Sequence, residues 1–273
     1  MSKVLKSAIY ISFLILISGA SGCPNYFANF ANQDTDEARL FRAKMLLNDG
    51  LFTEAIDEIN LTTADFQILE KVVVVKASAL AGRCGLNALT FIQGIDAIGA
   101  GAGGRLFPYL LSQFKAADAS RVQDCVDAEN IVAGINTPDN RTNQQNLLLI
   151  LIAFAKMGAI LNKSADLDDD GIMDPAYDQC IAGGMPDADV DEFIISFSQI
   201  KENLTVARAG TNFGLDEVSS MDTAVCTALG ICGKFSAADI VAGDRIAMRG
   251  AIGTNQDLGL GSCLDTAANC ACP

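Results

Sequence analysis

Residues 147–161, LLLILIAFAKMGAIL, form the most apolar internal stretch of the chain, interrupted only by Lys156. These 15 residues are fewer than the ~20 that a membrane-crossing helix needs. A stretch that is apolar on every face of a helix is typical of a helix surrounded by other elements. We therefore predict a central buried helix here, covered by the neighbouring helical hairpins.

The preceding segments show helical periodicity with a repeat of 33–34 residues. Ala43 recurs as Ala77, and Ala55 recurs as Ala88. The string AKMLLNDGLFTEAI at residues 43–56 resembles a tetratricopeptide repeat, in which two helices pair within 34 residues. Small residues would let the helices of a pair approach closely, and the glycine of the Asp-Gly dipeptide would serve the tight turn between them.

This resemblance covers residues 36–95 and implies stacked helical hairpins. A plain helical bundle is the alternative, and the β-branched run at residues 72–75 is also compatible with a strand. Further helices are predicted at residues 106–115 and 119–135. The predicted fold class is all-α: a helix-hairpin, tetratricopeptide-like array with a disulfide-rich, helical or irregular C-terminal third.

Four segments are predicted along the chain. They are a lipoprotein signal peptide at 1–22, a helical-hairpin region at 23–162, an Asp-rich calcium loop at 163–178 and a Cys-rich region at 179–273. The last could form one domain with the preceding region.

The N-terminus has the three parts of a secretion signal. Lys3 and Lys6 form a positive region, residues 8–17 are apolar, and small residues follow. The sequence Ala-Ser-Gly-Cys at residues 20–23 resembles the lipobox of bacterial lipoproteins, with Ala20 in place of the usual large aliphatic residue. Ordinary signal cleavage, which would leave a soluble protein, is the alternative.

The lipobox resemblance implies cleavage before Cys23, attachment of a diacylglycerol to its sulfur and acylation of the new amino end. The partner that it implies is therefore the membrane, reached through the lipid anchor. Pro24 stands where the sorting rule of the family places an Asp for inner-membrane retention, which implies localisation at the outer membrane of the cell envelope.

Cysteine parity agrees with this interpretation. Nine cysteines are present, and lipidation of Cys23 leaves an even number, which suits disulfide pairing in an oxidising compartment. The eight candidates for disulfide bonds, with 105 possible connectivities, are Cys84, Cys125, Cys180, Cys226, Cys232, Cys263, Cys270 and Cys272.

Composition excludes several function classes. The net charge is −14, and loss of the two lysines of residues 1–22 takes it to −16, which argues against nucleic acid as a partner. The chain has no histidine, which removes histidine-based triads and most zinc sites, and it has no tryptophan. We therefore expect a binding protein rather than an enzyme.

The sequence DLDDDGIMD at residues 166–174 is the sharpest chemical motif. Carboxylates at alternate positions converge when the backbone curls, and the glycine permits the sharp turn. The motif resembles the first half of an EF-hand loop, and equally the Asp-rich loops of dockerins and thrombospondin type 3 repeats. Tyr177 stands at the position of the closing EF-hand glutamate.

The predicted ligands of a structural Ca²⁺ are Asp166, Asp168, Asp170, the Ile172 carbonyl, Asp174 and Asp178. A solvated acidic turn is the alternative.

Together these patterns predict a lipid-anchored, helical-repeat scaffold that binds an envelope protein or peptide. Two alternatives remain from the sequence. One is an accessory lipoprotein of a transport or envelope-assembly system, and the other is a carboxylate-dependent hydrolase.

Overall fold

The computed structural model describes residues 34–99, 105–181, 184–208, 222–227, 229–254, 258–263, 270 and 272. Its α-helices are α1 (Asp36–Asn48), α2 (Phe52–Asn60), α3 (Ala64–Gln67), α4 (Glu70–Cys84), α5 (Ala88–Gly99), α6 (Leu106–Gln113), α7 (Ala119–Ala133), α8 (Asn143–Ala165), α9 (Asp187–Arg208) and α10 (Ala242–Gly253). Short helical turns lie at Pro138–Asn140, Asp222–Thr227 and Ala237–Asp239. Within these ranges no β-strand is formed, so the predicted all-α class is confirmed.

Helix α8 is the centre of the fold. It packs against α4, α6, α7 and α9, and Leu149, Ile152 and Ile160 are fully buried. The helix has 23 residues and is long and apolar enough to cross a membrane by length and composition, but most of it is covered by its neighbours. The predicted central buried helix is confirmed, and it extends beyond the apolar stretch at both ends.

The start of α8 is fixed by a capping box. The Thr142 hydroxyl accepts a hydrogen bond from the Gln145 amide (3.3 Å), and the Gln145 side chain accepts one from the Thr142 amide (2.7 Å). These two bonds satisfy donors that a helix N-terminus otherwise leaves free. The Gln145 side chain also donates to Glu70 on α4 (2.5 Å). The same residue therefore caps α8 and joins it to α4.

Helices α1 and α2 form a hairpin, and α4 packs against both. The Asp-Gly turn predicted between α1 and α2 is present, and Gly50 has a positive φ of 76° that favours glycine. The β-branched run at residues 72–75 is helical and belongs to α4. The described part of α5 leaves α4 at an angle of 64°. The second helix pair is therefore bent, and its equivalence to the first stays a prediction.

Four disulfides join all eight predicted cysteines. Cys84–Cys125 links α4 to α7, Cys180–Cys272 returns the C-terminal tail to the segment after the Asp-rich loop, and Cys226–Cys232 and Cys263–Cys270 close short loops. The predicted disulfide-rich C-terminal third is confirmed, because three of the four bonds lie there.

Candidate metal centre and surface groove

The Asp-rich loop begins where α8 ends. Asp166 is the C-cap residue of α8 and is only 2% exposed. Its carboxylate turns into the loop and accepts hydrogen bonds from the amides of Asp170 (3.1 Å) and Gly171 (3.0 Å). A third donor is the Asn162 side chain, one turn earlier on α8 (2.8 Å). These bonds hold the curled backbone that the motif predicts.

Two residues in the curl have a positive φ, Asp169 (59°) and Gly171 (89°). Aspartate and glycine are among the residues that adopt this region most readily. The curl is tied to the segment after α6, because the Asp169 carboxylate accepts a hydrogen bond from the Ala116 amide (2.7 Å). Lys115 donates to the Asp170 carbonyl (3.3 Å) and places one positive charge beside the loop.

Three carboxylates of the loop converge. Oxygen atoms of Asp166, Asp168 and Asp170 all lie within 4.8 Å of one another, with Asp166 buried and the other two exposed. Burial raises the pKa of Asp166, and the neighbouring Asp170 and Asp168 carboxyls raise it further against the lowering effect of the Gly171 and Asp170 amides. The cluster thus concentrates negative charge around one buried carboxylate.

The carboxylates of Asp174 and Asp178 lie outside this cluster, and the Ile172 carbonyl stays a predicted ligand. The Asp174 carboxylate accepts a hydrogen bond from the Leu167 amide (2.8 Å), and its own amide donates to the Ala165 carbonyl (2.7 Å), which closes the base of the loop. The Asp178 carboxylate accepts from the Cys180 amide (2.8 Å). The Ile172 amide donates to the Asp170 carboxylate (2.7 Å), and the Ile172 side chain is exposed.

This donor set fits a hard cation. Ca²⁺ takes oxygen ligands at about 2.3–2.6 Å, so two oxygens on one ion lie at most about 5 Å apart. The 4.8 Å limit of the three-carboxylate cluster falls within that span. Asp166, Asp168 and Asp170 would hold the ion, and the exposed side of the cluster leaves room for water ligands.

A second candidate site is a groove between the start of α4 and the end of α7. Its volume is about 560 Å³. The lining residues are Gln67, Ile68, Glu70, Val73, Lys76, Asn130, Ile131, Gly134 and Ile135. Ile68 is 75% exposed at its edge. The lining thus mixes apolar side chains with charged and amide side chains.

The two walls of this groove are fastened together farther along the same helices. Cys84 of α4 is bonded to Cys125 of α7. Beside that disulfide, the Arg83 guanidinium donates two hydrogen bonds to Asp124, at 2.7 Å and 2.5 Å. The hydrogen bonds to Asp124 raise the pKa of Arg83, so the guanidinium stays charged. The relative position of α4 and α7 is therefore fixed by a covalent bond and a bidentate ion pair.

Sequence reasoning identified the Asp-rich loop but missed the groove. The groove residues come from helix ends that are distant in the chain, and no local motif marks them. It also missed Glu129 and Glu192, which contact Lys156 inside the core. Lys156 was the available signal, because a cation in the middle of an apolar helix requires a carboxylate partner.

Comparison with known proteins gives no matching family model, no matching curated protein and no matching solved structure. The fold and the candidate sites therefore define a class only: a helical, disulfide-bridged protein with an Asp-rich loop and a groove between two of its helices. Cys23 and the signal segment lie outside the described residues.

Proposed function

We propose that the chain is a membrane-anchored envelope lipoprotein that binds a protein or peptide partner in the groove between α4 and α7. The groove carries this proposal. Its volume of about 560 Å³ lies in the range of small-molecule and cofactor pockets, about 300–1,000 Å³, so the groove has room for side chains of a partner. The exposed Ile68 offers apolar contact to an incoming side chain, and Glu70 and Lys76 in the same lining offer polar contacts.

The anchoring part of the proposal rests on the signal-like N-terminus and Cys23. The four disulfides support it, since disulfides form and persist in oxidising compartments such as the bacterial envelope. The acidic body would not dock on anionic lipid by charge, so an acyl anchor at Cys23 would hold it at the membrane. Outer-membrane placement follows from Pro24 in the same resemblance.

In this proposal, calcium has a structural role in the loop between α8 and Cys180. Three carboxylates in a small volume repel one another, and a divalent cation would remove that repulsion. The loop continues into the Cys180–Cys272 disulfide. An ion at Asp166, Asp168 and Asp170 would therefore stiffen the connection between the central helix and the C-terminal third.

Hydrolysis by the closely placed carboxylates of Glu129 and Glu192 is disfavoured by the surroundings of this pair. Both carboxylates contact the ammonium of Lys156, which is 1% exposed, and Glu129 is 2% exposed. Carboxylates that serve as general acid and base must reach a substrate. This pair is instead engaged with a buried cation.

The groove is tested by photo-crosslinking in the bacterial envelope, with matched substitutions at two exposed apolar residues. Ile68→Asp places a charge in the groove, and Leu89→Asp places one on α5, at a residue of similar exposure outside it. We expect the same crosslinked partner with the unaltered chain and Leu89→Asp, and its loss with Ile68→Asp. Equal recovery from all three chains, or recovery of no partner, would overturn the groove assignment.

The anchor is tested by mass spectrometry of the native amino terminus. We expect a mature chain that begins with an acylated Cys23 and partitions into detergent. A Cys23→Ser chain should remain unmodified and lose membrane attachment. An intact Met1, or free thiols at the eight other cysteines, would contradict the envelope assignment.

A further inference from the structure

The most apolar helix of the protein contains a buried cation. Lys156 lies in the middle of α8, and its side chain is 1% exposed. Its ammonium is 2.6 Å from the Glu192 carboxylate of α9 and also contacts the Glu129 carboxylate of α7. The three side chains, which we call the core charge cluster, therefore join three helices at one point.

The charges of the core charge cluster do not balance. One ammonium can neutralise one carboxylate, and two carboxylates are present. When both glutamates are ionised, the buried Glu129 carboxylate shares its one cation with the negative charge of Glu192, and an incompletely compensated buried charge is strongly unfavourable. The least costly way to restore neutrality is for the two carboxylates to retain one proton between them.

Several charged groups on the surrounding helices have other partners. On α7, Asp124 pairs with Arg83 of α4. At the far end of α8, Lys163 pairs with Asp189 of α9. Helix α6 contains no charged residue. Lys156 is therefore the cation that serves both glutamates in the described part of the chain.

Two further carboxylates of α9 form ion pairs with arginines of α10. Asp187 pairs with Arg249, and Asp191 pairs with Arg245. On α4, Glu70 accepts a hydrogen bond from Gln145 at the opposite end of α8. These contacts leave the charge imbalance of the cluster unchanged.

The two glutamates differ in exposure. The Glu129 side chain is 3% exposed, and Glu129 Oε1 has no hydrogen-bond partner among the described residues. The Glu192 side chain is 29% exposed. Burial raises the pKa of Glu129, Lys156 acts against this shift and Glu192 adds to it. The proton is thus favoured on the Glu129 side, and Glu192 provides the route to solvent.

We propose that the core charge cluster of Glu129, Lys156 and Glu192 holds one proton between its carboxylates and makes the α7 wall of the groove responsive to pH. Glu129 immediately precedes Asn130 and Ile131, two residues that line the groove. Loss of the proton as pH rises leaves a net negative charge between α7, α8 and α9, which weakens the packing of α7. The link to groove binding rests on the proposed function, whereas the shared proton does not.

Infrared spectroscopy of the full chain in detergent tests the proton directly. At neutral pH we expect the carbonyl band of a protonated carboxylic acid. Glu129→Gln and Glu192→Gln should each abolish the band, because either variant leaves one carboxylate for one ammonium. Glu37→Gln, which changes an exposed carboxylate that pairs with Lys71, is the matched control and should retain it. Absence of the band in the unaltered chain, or its persistence in both variants, would overturn the proposal.

Denaturant unfolding at several pH values gives a second test. Between the ordinary glutamate pKa and the raised pKa of Glu129, the folded state binds one proton more than the unfolded state. The unfolding equilibrium constant should then rise up to about tenfold per pH unit, relative to Glu129→Gln. If Glu129→Gln does not fold, Glu192→Gln, at the more exposed position, provides the comparison. Parallel pH profiles for the unaltered chain and the variant would contradict the proposal.

Hydrogen exchange tests separately whether the shared proton affects the α7 wall of the groove. Amide exchange at residues 129–135 should rise with pH more steeply in the unaltered chain than in Glu129→Gln, compared at each pH. A carboxylic acid band together with identical exchange would overturn the coupling to the groove. If the band and the exchange difference are present but no partner crosslinks to the groove, the proposed function fails separately.

Discussion

The ring of Phe114 lies directly against Gly158 in the middle of α8. A Cβ atom at residue 158 would be 2.1 Å from Phe114 Cδ2, far inside van der Waals contact. Phe114 follows α6, is 3% exposed and contributes to the main core. The missing side chain at residue 158 therefore provides the space in which this ring packs against the central helix.

The first prediction concerns this contact. We expect Gly158→Ala to destabilise the protein by about 1–3 kcal/mol through overpacking, although alanine favours a helix by about 1 kcal/mol over glycine. The measurement is denaturant unfolding. Gly243→Ala in α10 is the control, because no atom lies within 4 Å of the Cβ position there. The control should be unchanged or slightly more stable, and a Gly158→Ala chain as stable as the control would contradict the prediction.

The central helix could be predicted because its apolar character is a property of local sequence. Its ends could not be placed by that criterion, because they are polar; the spacing of Thr142 and Gln145 was the unused signal for the start. At residues 72–75 the local sequence was instead misleading, because a β-branched run that is compatible with a strand is helical in the structure. Intrinsic β-preference is a weak guide, and helical spacing places Val72 and Val75 in the core with Ala79.

The candidate metal site was predicted in part for a related reason. Alternate aspartates on a curled backbone converge, so Asp166, Asp168 and Asp170 could be expected to meet. Asp174 and Asp178 also accept hydrogen bonds from nearby backbone amides but lie outside the cluster. Asp166 and Asp170 accept such bonds and still converge, so the spacing of aspartates alone does not show which carboxylates meet. The groove and the disulfide pairing depend on contacts between distant segments.

The second prediction tests calcium at the loop. With a dissociation constant of about 10⁻⁴–10⁻³ M, 10 mM calcium should stabilise the chain by about 1.4–2.7 kcal/mol relative to chelator. Thermal unfolding provides the measurement. Asp168→Asn and Asp170→Asn should each reduce this difference, because each removes a charged ligand from the three-carboxylate cluster.

Asp169→Asn is the matched control for the calcium experiment. Asp169 lies in the same loop but outside the three-carboxylate cluster, and asparagine tolerates its positive φ of 59°. The control should keep the response to calcium. Equal midpoints with calcium and with chelator in the unaltered chain would leave the loop as an acidic turn.

The third prediction compares a long and a short disulfide loop. Cys84–Cys125 spans 41 residues, and Cys226–Cys232 spans six. Chain-entropy arguments predict that replacing both cysteines by alanine lowers the free energy of unfolding by about 4 kcal/mol for Cys84–Cys125 and by about 2 kcal/mol for Cys226–Cys232. Denaturant unfolding of the two double variants measures both. Loss of Cys84–Cys125 should also loosen α4 from α7, and equal costs for the two pairs would count against the entropic account.

The fourth prediction concerns alkaline stability. The Tyr109 hydroxyl donates a hydrogen bond to the Phe91 carbonyl (2.9 Å), and burial raises the pKa of Tyr109 to about 12, from 10.0. The folded state therefore holds this proton more tightly than the unfolded state, so stability should fall as pH rises from about 10 toward 12. Tyr109→Phe keeps the ring and removes the titrating group. We expect the difference in ultraviolet absorbance between the two chains to show that the Tyr109 phenolate forms near pH 12. A titration midpoint near pH 10 would instead mean that the Tyr109 hydroxyl is open to solvent.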